Sequence, residues 1–170
     1  MDKRVAILAE DDYEDLELWY PYYRLLEAGH EVKVIGSGRK QVYASKHGYE
    51  VKADMNASDV DLGDFDALVI PGGFAPDRMR RIPAVNELVR HFFKEGKTVA
   101  AICHAPSVLI SANVLRGKKV TCFMSIKDDV MNAGARYKDQ AVVVDGNLIT
   151  SRSPADLPEF MKALLQALQE

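Results

Sequence analysis

The sequence predicts an α/β protein built on a mostly parallel β-sheet with helices on both faces. Short continuous apolar runs, such as residues 67–70, are typical of strands buried on both sides of a sheet. These runs alternate with stretches whose apolar residues recur at helical spacing, which favours strand–helix–strand units. A chain of 170 residues suffices for one domain, expected over residues 1–170, and is too short for a TIM barrel, which needs at least ~200 residues.

The first third of the chain predicts two strands, a helix and a hairpin. The apolar run 5–9 predicts the first strand, and residues 16–27 predict a helix. That helix should end at Gly29, because glycine is typical just beyond helix C-termini. Residues 31–35 predict the second strand. Residues 42–43 and 49–51 have side chains typical of strands, and they predict a hairpin joined by a Lys-His-Gly turn.

The middle third predicts two buried strands with a helix between them. The strand over residues 67–70 stops at Pro71-Gly72-Gly73. The strand over residues 99–102 runs directly into Cys103-His104, and Pro106 fits the first position of a following helix. The helix between the strands carries its apolar side chains on one stripe: Val85, Leu88, Val89, Phe92 and Phe93.

The last third predicts a short strand over residues 119–122, then a hairpin and a final helix. The hairpin strands, 142–144 and 148–150, flank the turn Asp145-Gly146-Asn147. The final helix should begin at Asp156, because an acid there, with Glu159 three residues on, is typical of a capped start.

Composition excludes several classes of protein. Twenty-two Lys and Arg against 25 Asp and Glu leave a net charge of −3, which argues against nucleic-acid binding as the main task. Two cysteines cannot form a disulfide framework and favour a reducing compartment, so we expect a cytoplasmic protein. The opening apolar run is too short for a signal peptide. The uncharged stretch 98–115 contains His104 and Pro106 and predicts a buried strand–turn–helix rather than a membrane span.

Cys103 is the strongest candidate for chemistry. A cysteine between a buried strand and a helix start lies on a sharp turn, as the nucleophile of an α/β-hydrolase does, and a helix start favours the reactive thiolate. The alternative is an inert buried cysteine. Cys122 lies within a strand pattern and is expected to be structural. His104, directly after Cys103, could act as a base if the turn is tight.

The glycines after residue 70 and the acids after residue 9 are expected at the same sheet edge, where ligands bind in open α/β sheets. Backbone N–H groups of Gly72 and Gly73 could form an oxyanion hole. No phosphate-binding or dinucleotide motif is present, so we expect no cofactor. The acids at residues 10–15 allow three interpretations: stabilisation of a helix N-terminus, a metal site, which the spacing does not favour, or one carboxyl beside Cys103.

Short segments spread over nearly the whole chain form a family signature. They are Glu14-Asp15-Leu16-Glu17-Leu18, His47-Gly48-Tyr49, Pro71-Gly72-Gly73, Ala101-Ile102-Cys103-His104-Ala105-Pro106, Ile126-Lys127-Asp128-Asp129, Asn132-Ala133-Gly134 and Ser151-Arg152-Ser153-Pro154-Ala155-Asp156-Leu157. In this order and at this spacing they resemble the ThiJ/PfpI superfamily, and most closely its PfpI subgroup.

The resemblance implies a flavodoxin-like three-layer sandwich with Cys103 at a nucleophile elbow. It also implies a triad of Cys103, His104 and an acid from a neighbouring subunit, aligned with Asp77 where the subgroup usually carries Glu. A further acid, aligned with Glu14, would lie beside the thiol, and Gly73 with the backbone of His104 would form the oxyanion hole. The implied assembly is a dimer, with hexamers in the PfpI subgroup.

The resemblance implies a cofactor-independent enzyme, since the subgroup contains glyoxalases, deglycases and intracellular cysteine peptidases. The Cys103 thiolate would add to a reactive carbonyl, methylglyoxal or its adducts, and Glu14 would move the proton that leads to lactate. One alternative is a peptidase that uses Cys103, His104 and Asp77. Another is a non-enzymatic redox sensor or holdase. A glutamine amidotransferase is excluded, because its triad needs a late histidine and none follows His104.

Three arginines close to Asp77 leave two interpretations open. Arg78, Arg80 and Arg81 could attract an anionic substrate, or they could form an ordinary solvated surface.

Overall fold

A computed structural model describes residues 1–169 and confirms the α/β architecture. Its strands are β1 (Arg4–Ala9), β2 (Glu31–Gly36), β3 (Val42–Ala44), β4 (Glu50–Lys52), β5 (Met55–Asn56), β6 (Ala67–Ile70), β7 (Thr98–Ile102), β8 (Lys119–Val120), β9 (Arg136–Tyr137), β10 (Val143–Asp145) and β11 (Leu148–Ser151). Seven of them form the central sheet, in the order β10-β11-β7-β6-β1-β2-β5. Its pairs are parallel except β10–β11.

Six α-helices accompany the strands within residues 1–169. They are α1 (Asp15–Glu27), α2 (Ala75–Met79), α3 (Pro83–Lys94), α4 (Pro106–Ser111), α5 (Lys127–Asn132) and α6 (Leu157–Ala167). Helices α1 and α6 pack on each other and on the sheet, whereas α3 packs on β6, β7 and α4, and α2 packs on α4. None of the helices within residues 1–169 is long and apolar enough to cross a membrane.

Burial follows the patterns read from the sequence. The four residues of β6 are completely buried, as expected for a strand covered on both faces. The predicted stripe of α3 lies inward, with Val85, Leu88, Val89 and Phe92 buried and Phe93 half-buried against the core. Gly29 adopts a φ of 91° directly after the C-cap of α1, which confirms the predicted helix end.

The sheet register brings three loops to one edge. Strand β1 pairs in parallel with both β2 and β6, and β6 pairs in parallel with β7. The chain leaves β1 toward β2 on one side and later returns to β6 on the other, so the strand order reverses between β1 and β6. Carboxyl-terminal loops at such a reversal form the usual ligand crevice of open α/β sheets. The loops after Ala9, Ile70 and Ile102 therefore meet there.

Two details of the last third differ from the prediction. Asp156 does not cap α6, because its carboxylate instead accepts hydrogen bonds from the backbone and guanidinium of Arg152 at 2.9–3.0 Å. The strand predicted over residues 119–122 is shorter, and it pairs with β9 in a separate two-stranded sheet.

Candidate active site

Cys103 lies on a strained elbow between β7 and α4. Its φ is 64°, a left-handed conformation that costs a non-glycine residue roughly 1 kcal/mol or more. Two backbone hydrogen bonds hold it there: its N–H donates to Ser151 O at 3.0 Å, and its C=O accepts from Phe123 N–H at 2.9 Å. The side chain is 6% exposed. The structure thus aims one nearly buried thiol at the edge where the loops meet.

Gly72 and Gly73 allow the loop after β6 to pass close to the thiol. A β-carbon on Gly72 would lie 2.7 Å from Cys103 Cβ and 2.5 Å from Glu17 Oε1. Gly73 has a φ of 77°, and a β-carbon there would collide with the backbone of residues 12–14. Neither position tolerates a side chain, because the obstacles include backbone atoms and the Cys103 side chain.

The carboxyl that the structure places beside Cys103 belongs to Glu17. Glu17 is completely buried, and its Oε1 accepts the Gly72 N–H at 2.9 Å. Its Oε2 has no hydrogen-bond partner among the described protein atoms. Burial, together with the negative charge of Glu14, raises the pKa of Glu17 to about 8. Glu17 is therefore protonated at neutral pH and can present a proton beside the sulfur.

Glu14, which the sequence analysis expected beside the thiol, has another position. It is the N-cap of α1, and its Oε2 accepts the Glu17 N–H at 2.9 Å. Its Oε1 lies 3.7 Å from the ammonium of Lys46. Glu17 was missed because it is one acid among several. The signal that could have found it is helical spacing, since Glu17 lies on the buried face of α1 with Leu18, Pro21 and Leu25.

The environment of Cys103 does not favour the thiolate in the way the helix start predicts. Burial and the charge of Glu17 raise the pKa of Cys103 to about 12, against the opposing effects of the Gly73 and His104 N–H groups and of Lys46. Helix α4 has only six residues, and burial is the main cause of the raised pKa of Cys103. When Glu17 is protonated, as it is at neutral pH, its repulsion of a thiolate is removed, and burial remains the main obstacle to ionising Cys103.

His104 contacts the thiol in spite of being its neighbour in sequence. Its Nδ1 lies 3.3 Å from Cys103 Sγ, and its Nε2 lies 3.0 Å from Ser125 Oγ. The ring lies 4.9 Å from the ring of Phe123 and 6.4 Å from that of Phe74. Burial and the charge of Lys46 lower the pKa of His104. A neutral imidazole positioned in this way can accept the thiol proton.

The remaining predicted residues divide between the site and its surroundings. The N–H groups of Gly73 and His104 act on the sulfur, whereas Gly72 directs its N–H to Glu17 and is not free for an oxyanion. Asp77 lies exposed in α2, and within this chain the histidine contacts Ser125 instead.

The arginines after Asp77 have separate contacts. Arg78 donates twice to Asp12, at 2.8 and 3.2 Å, and Arg80 donates to Ser111 at 2.9 Å, while Arg81 is exposed. Within residues 1–169, no group of three or more His, Cys, Asp or Glu side chains could hold a metal ion.

The thiol lies on a strand-to-helix elbow, with a protonated carboxyl and backbone amides beside it. This arrangement is typical of flavodoxin-like α/β proteins with a cysteine nucleophile, and the chain belongs to that class. Comparison with known proteins gives the particular group. The model of the DJ-1/PfpI family matches residues 3–167, and the chain belongs to that family.

Relatives and solved structures agree with this assignment. The chain is 48% identical over 166 residues to Deglycase PfpI of Pyrococcus furiosus, covering 98% of this chain and 99% of that protein. It is 45% identical over 169 residues to YraA of Bacillus subtilis, provisionally named a cysteine protease, covering 99% of this chain and 100% of the relative. Drosophila melanogaster DJ-1beta superposes with a TM-score of 0.91 at 32% identity, covering 96% of this chain and 89% of that one.

A two-domain protein of Anabaena variabilis contains DJ-1/ThiJ/PfpI-like and ferritin-like domains. It superposes with a TM-score of 0.96 at 49% identity over 99% of this chain, which spans about half (48%) of that protein's length.

Proposed function

We propose that this protein is a cofactor-independent cysteine enzyme acting on reactive carbonyls, methylglyoxal or its adducts with amines and thiols. The observation that carries the proposal is the buried Glu17 carboxyl beside Cys103, protonated at neutral pH and with one oxygen free. Converting a 2-oxoaldehyde and water to a 2-hydroxy acid through a thioester uses both a nucleophile and a group that moves a proton between adjacent carbons. The name of the Pyrococcus furiosus relative, a deglycase, supports the same class of substrate.

In the first step, Cys103 Sγ attacks the aldehyde carbon of methylglyoxal. His104 Nδ1, 3.3 Å from Sγ, can accept the thiol proton in advance. Glu17 gives its proton to the aldehyde oxygen, which becomes the hydroxyl of a hemithioacetal. The N–H groups of Gly73 and His104 can stabilise the charge on that oxygen before the proton arrives.

In the second step, the Glu17 carboxylate takes the hydrogen from the former aldehyde carbon and returns it to the neighbouring carbon. The hydroxyl proton passes to the ketone oxygen, so the product is a lactoyl thioester on Cys103. Water then cleaves the C–S bond, which releases lactate and one proton and restores protonated Glu17 and the thiolate. In an amine or thiol adduct the carbon already bears a hydroxyl, so the sulfur displaces the amine or thiol, which leaves with the proton of Glu17.

Assembly and location belong to the same proposal. Asp77 lies exposed at the start of α2, so a second copy of the chain could present this carboxylate to His104 Nε2 and replace Ser125. We propose a dimer or hexamer in which residues 1–170 form one domain. Both cysteines are free thiols, which fits the cytoplasm.

A peptidase is the second candidate function, because the Bacillus subtilis relative is provisionally named a cysteine protease. The same sulfur would attack a peptide carbonyl, with His104 as acid and base. Glu17 has no evident role in that reaction, since peptide hydrolysis moves no proton between carbons. The two reactions are therefore separated by how strongly each depends on Glu17.

The test measures lactate formed from methylglyoxal, and peptide cleavage, for wild type, Cys103→Ala, Glu17→Gln, Glu14→Gln and Asp77→Ala. We expect Cys103→Ala to abolish lactate formation and Glu17→Gln to lower it by roughly 100-fold or more. Glu27→Gln, on the exposed side of α1, is the matched control and should retain full activity.

Three outcomes would contradict the proposal. Equal lactate formation by all variants would exclude the mechanism. Peptide cleavage that depends on Cys103, without lactate, would favour the peptidase. Consumption of a single oxidant equivalent at Cys103, without turnover of either substrate, would favour a redox sensor.

A further inference from the structure

The turn between β3 and β4, residues 45–49, carries a lysine to the candidate active site. Lys46 Nζ lies 3.7 Å from Glu14 Oε1, and Glu14 Oε2 accepts the N–H of Glu17, the residue beside the thiol. Its positive charge acts on the site: it contributes to the lowered pKa of His104 and opposes the raised pKa of Cys103 and of Glu17. The Lys46 side chain is 45% exposed, so solvent and small reagents can reach it.

Backbone contacts attach this turn to the loop that follows β1. The Lys46 N–H donates to Tyr13 O at 3.0 Å, and the Tyr13 side chain donates to Tyr49 O at 2.7 Å. Residues 13 and 45 also form a parallel β-bridge. The same loop supplies Glu14, so the lysine and its carboxylate are positioned by one continuous piece of structure.

Asp15 fixes the turn with both of its carboxylate oxygens. Oδ2 accepts the Ser45 hydroxyl at 2.7 Å, and Oδ1 lies 2.8 Å from His47 Nδ1. Ser45 Oγ in turn accepts the N–H groups of His47 and Tyr49 at 3.1 and 3.0 Å. Lys46 therefore lies between two residues that both contact Asp15, and these contacts fix the position of the Lys46 backbone.

We propose that Lys46 is a positioning residue of this enzyme: a fixed cation at the mouth of the site that stabilises negative charge on the Cys103–Glu17 pair and favours anionic over neutral reactants. Among residues 1–169, the charged and titratable groups that act on the pair are Glu14, His104 and Lys46, and the lysine is the positive one when His104 is neutral. Burial makes a lone anion costly, so a cation beside the pair favours formation of the thiolate. This inference rests on Cys103 being the nucleophile of the proposed function.

The experiment follows alkylation of Cys103 in the whole protein by neutral iodoacetamide and by anionic iodoacetate, as a function of pH. For Lys46→Gln we expect iodoacetamide alkylation near neutral pH to fall roughly threefold to tenfold, with the midpoint of the pH profile moving upward. Iodoacetate alkylation should fall further, and high salt should reduce that additional difference. Lys46→Arg should restore both rates.

Lys52→Gln is the matched control, because it removes one positive charge from exposed β4 of the same hairpin. It should leave both alkylation profiles unchanged. A Lys46→Gln profile equal to wild type, or a Lys46→Arg profile equal to Lys46→Gln, would overturn the proposal. His47→Ala should move the midpoint in the same direction by a smaller amount, and an unchanged midpoint would overturn the positioning role of the turn.

Alkylation separates this inference from the proposed function, because it requires no carbonyl substrate. Loss of the lysine effect with lactate formation intact would refute the inference alone. A clear lysine effect in a protein that forms no lactate would refute the reaction and leave the inference standing.

Discussion

Replacing Glu17 by Gln should stabilise the protein at neutral and alkaline pH. The change keeps the shape of the side chain, and the amide oxygen can still accept the Gly72 N–H. It removes a carboxyl whose pKa is raised from 4.5 to about 8 in the folded protein, by burial and by the charge of Glu14. Each pH unit over which only the unfolded chain is ionised lowers the free energy of unfolding by about 1.4 kcal/mol.

The sign follows from the direction of the pKa. Below about pH 4.5 both states are protonated and Glu17 has no ionisation penalty. As the pH rises toward 8, the unfolded chain loses its proton while the folded protein keeps it, so wild type loses stability. The accumulated penalty is about 4 kcal/mol at pH 8, and Gln does not experience it.

The assay is urea unfolding of wild type and Glu17→Gln at a series of pH values from 5 to 8.5, at one protein concentration because self-association changes apparent stability. The difference in unfolding free energy should grow steadily with pH, to several kcal/mol. Glu27→Gln, exposed on the same helix, should show a small difference at every pH. A Glu17→Gln difference that does not change with pH would refute the assignment of Glu17 as a protonated carboxyl.

Three further substitutions test other contacts. The free energy of unfolding of Cys103→Gly, measured with urea, should exceed that of Cys103→Ala by about 1 kcal/mol, because only glycine adopts a φ of 64° without strain. A more stable Ala variant would contradict the strain at the elbow. Gly72→Ala should lower the free energy of unfolding by about 2 kcal/mol or more and slow alkylation of Cys103, because the new β-carbon would lie 2.7 Å from Cys103 Cβ. The control Gly63→Ala should change neither measurement appreciably. Asp156→Asn should lower the Tm near neutral pH, because hydrogen bonds from Arg152 outweigh burial and lower the pKa of Asp156. The difference in Tm should shrink in acid, where the wild-type carboxylate becomes protonated. An equal difference at acid and neutral pH would contradict this role of the carboxylate.

The sheet and its main helices were predictable because burial leaves a periodic signal. A strand covered on both faces, such as β6, must be apolar at every position, and the stripe of α3 repeats at helical spacing. Strands of two residues, such as β5, leave no such signal, because their pairing is decided by neighbours distant in sequence.

The parts of the candidate site that depend on local backbone structure were predictable from the sequence. The parts that depend on tertiary contacts were not. The elbow at Cys103 follows from a buried strand that ends directly before a helix start. Glu17 rather than Glu14 lies beside the thiol because Glu17 is on the buried face of α1. A sequence does not show this directly, because a buried acid and an exposed acid are the same letter. Asp77 differs again, since we propose that it reaches His104 from a second copy of the chain, and a single sequence does not show how copies meet.

The two hydrogen bonds that hold the Cys103 elbow have a consequence for biosynthesis. Their partners, Phe123 and Ser151, follow the cysteine by 20 and 48 positions, and β11 enters the sheet beside β7 only after Ser151 has been made. A nascent chain that has passed residue 103 holds the thiol but lacks the contacts that support its left-handed backbone. The reactive geometry therefore arises late in synthesis, when nearly the whole chain is available to surround it.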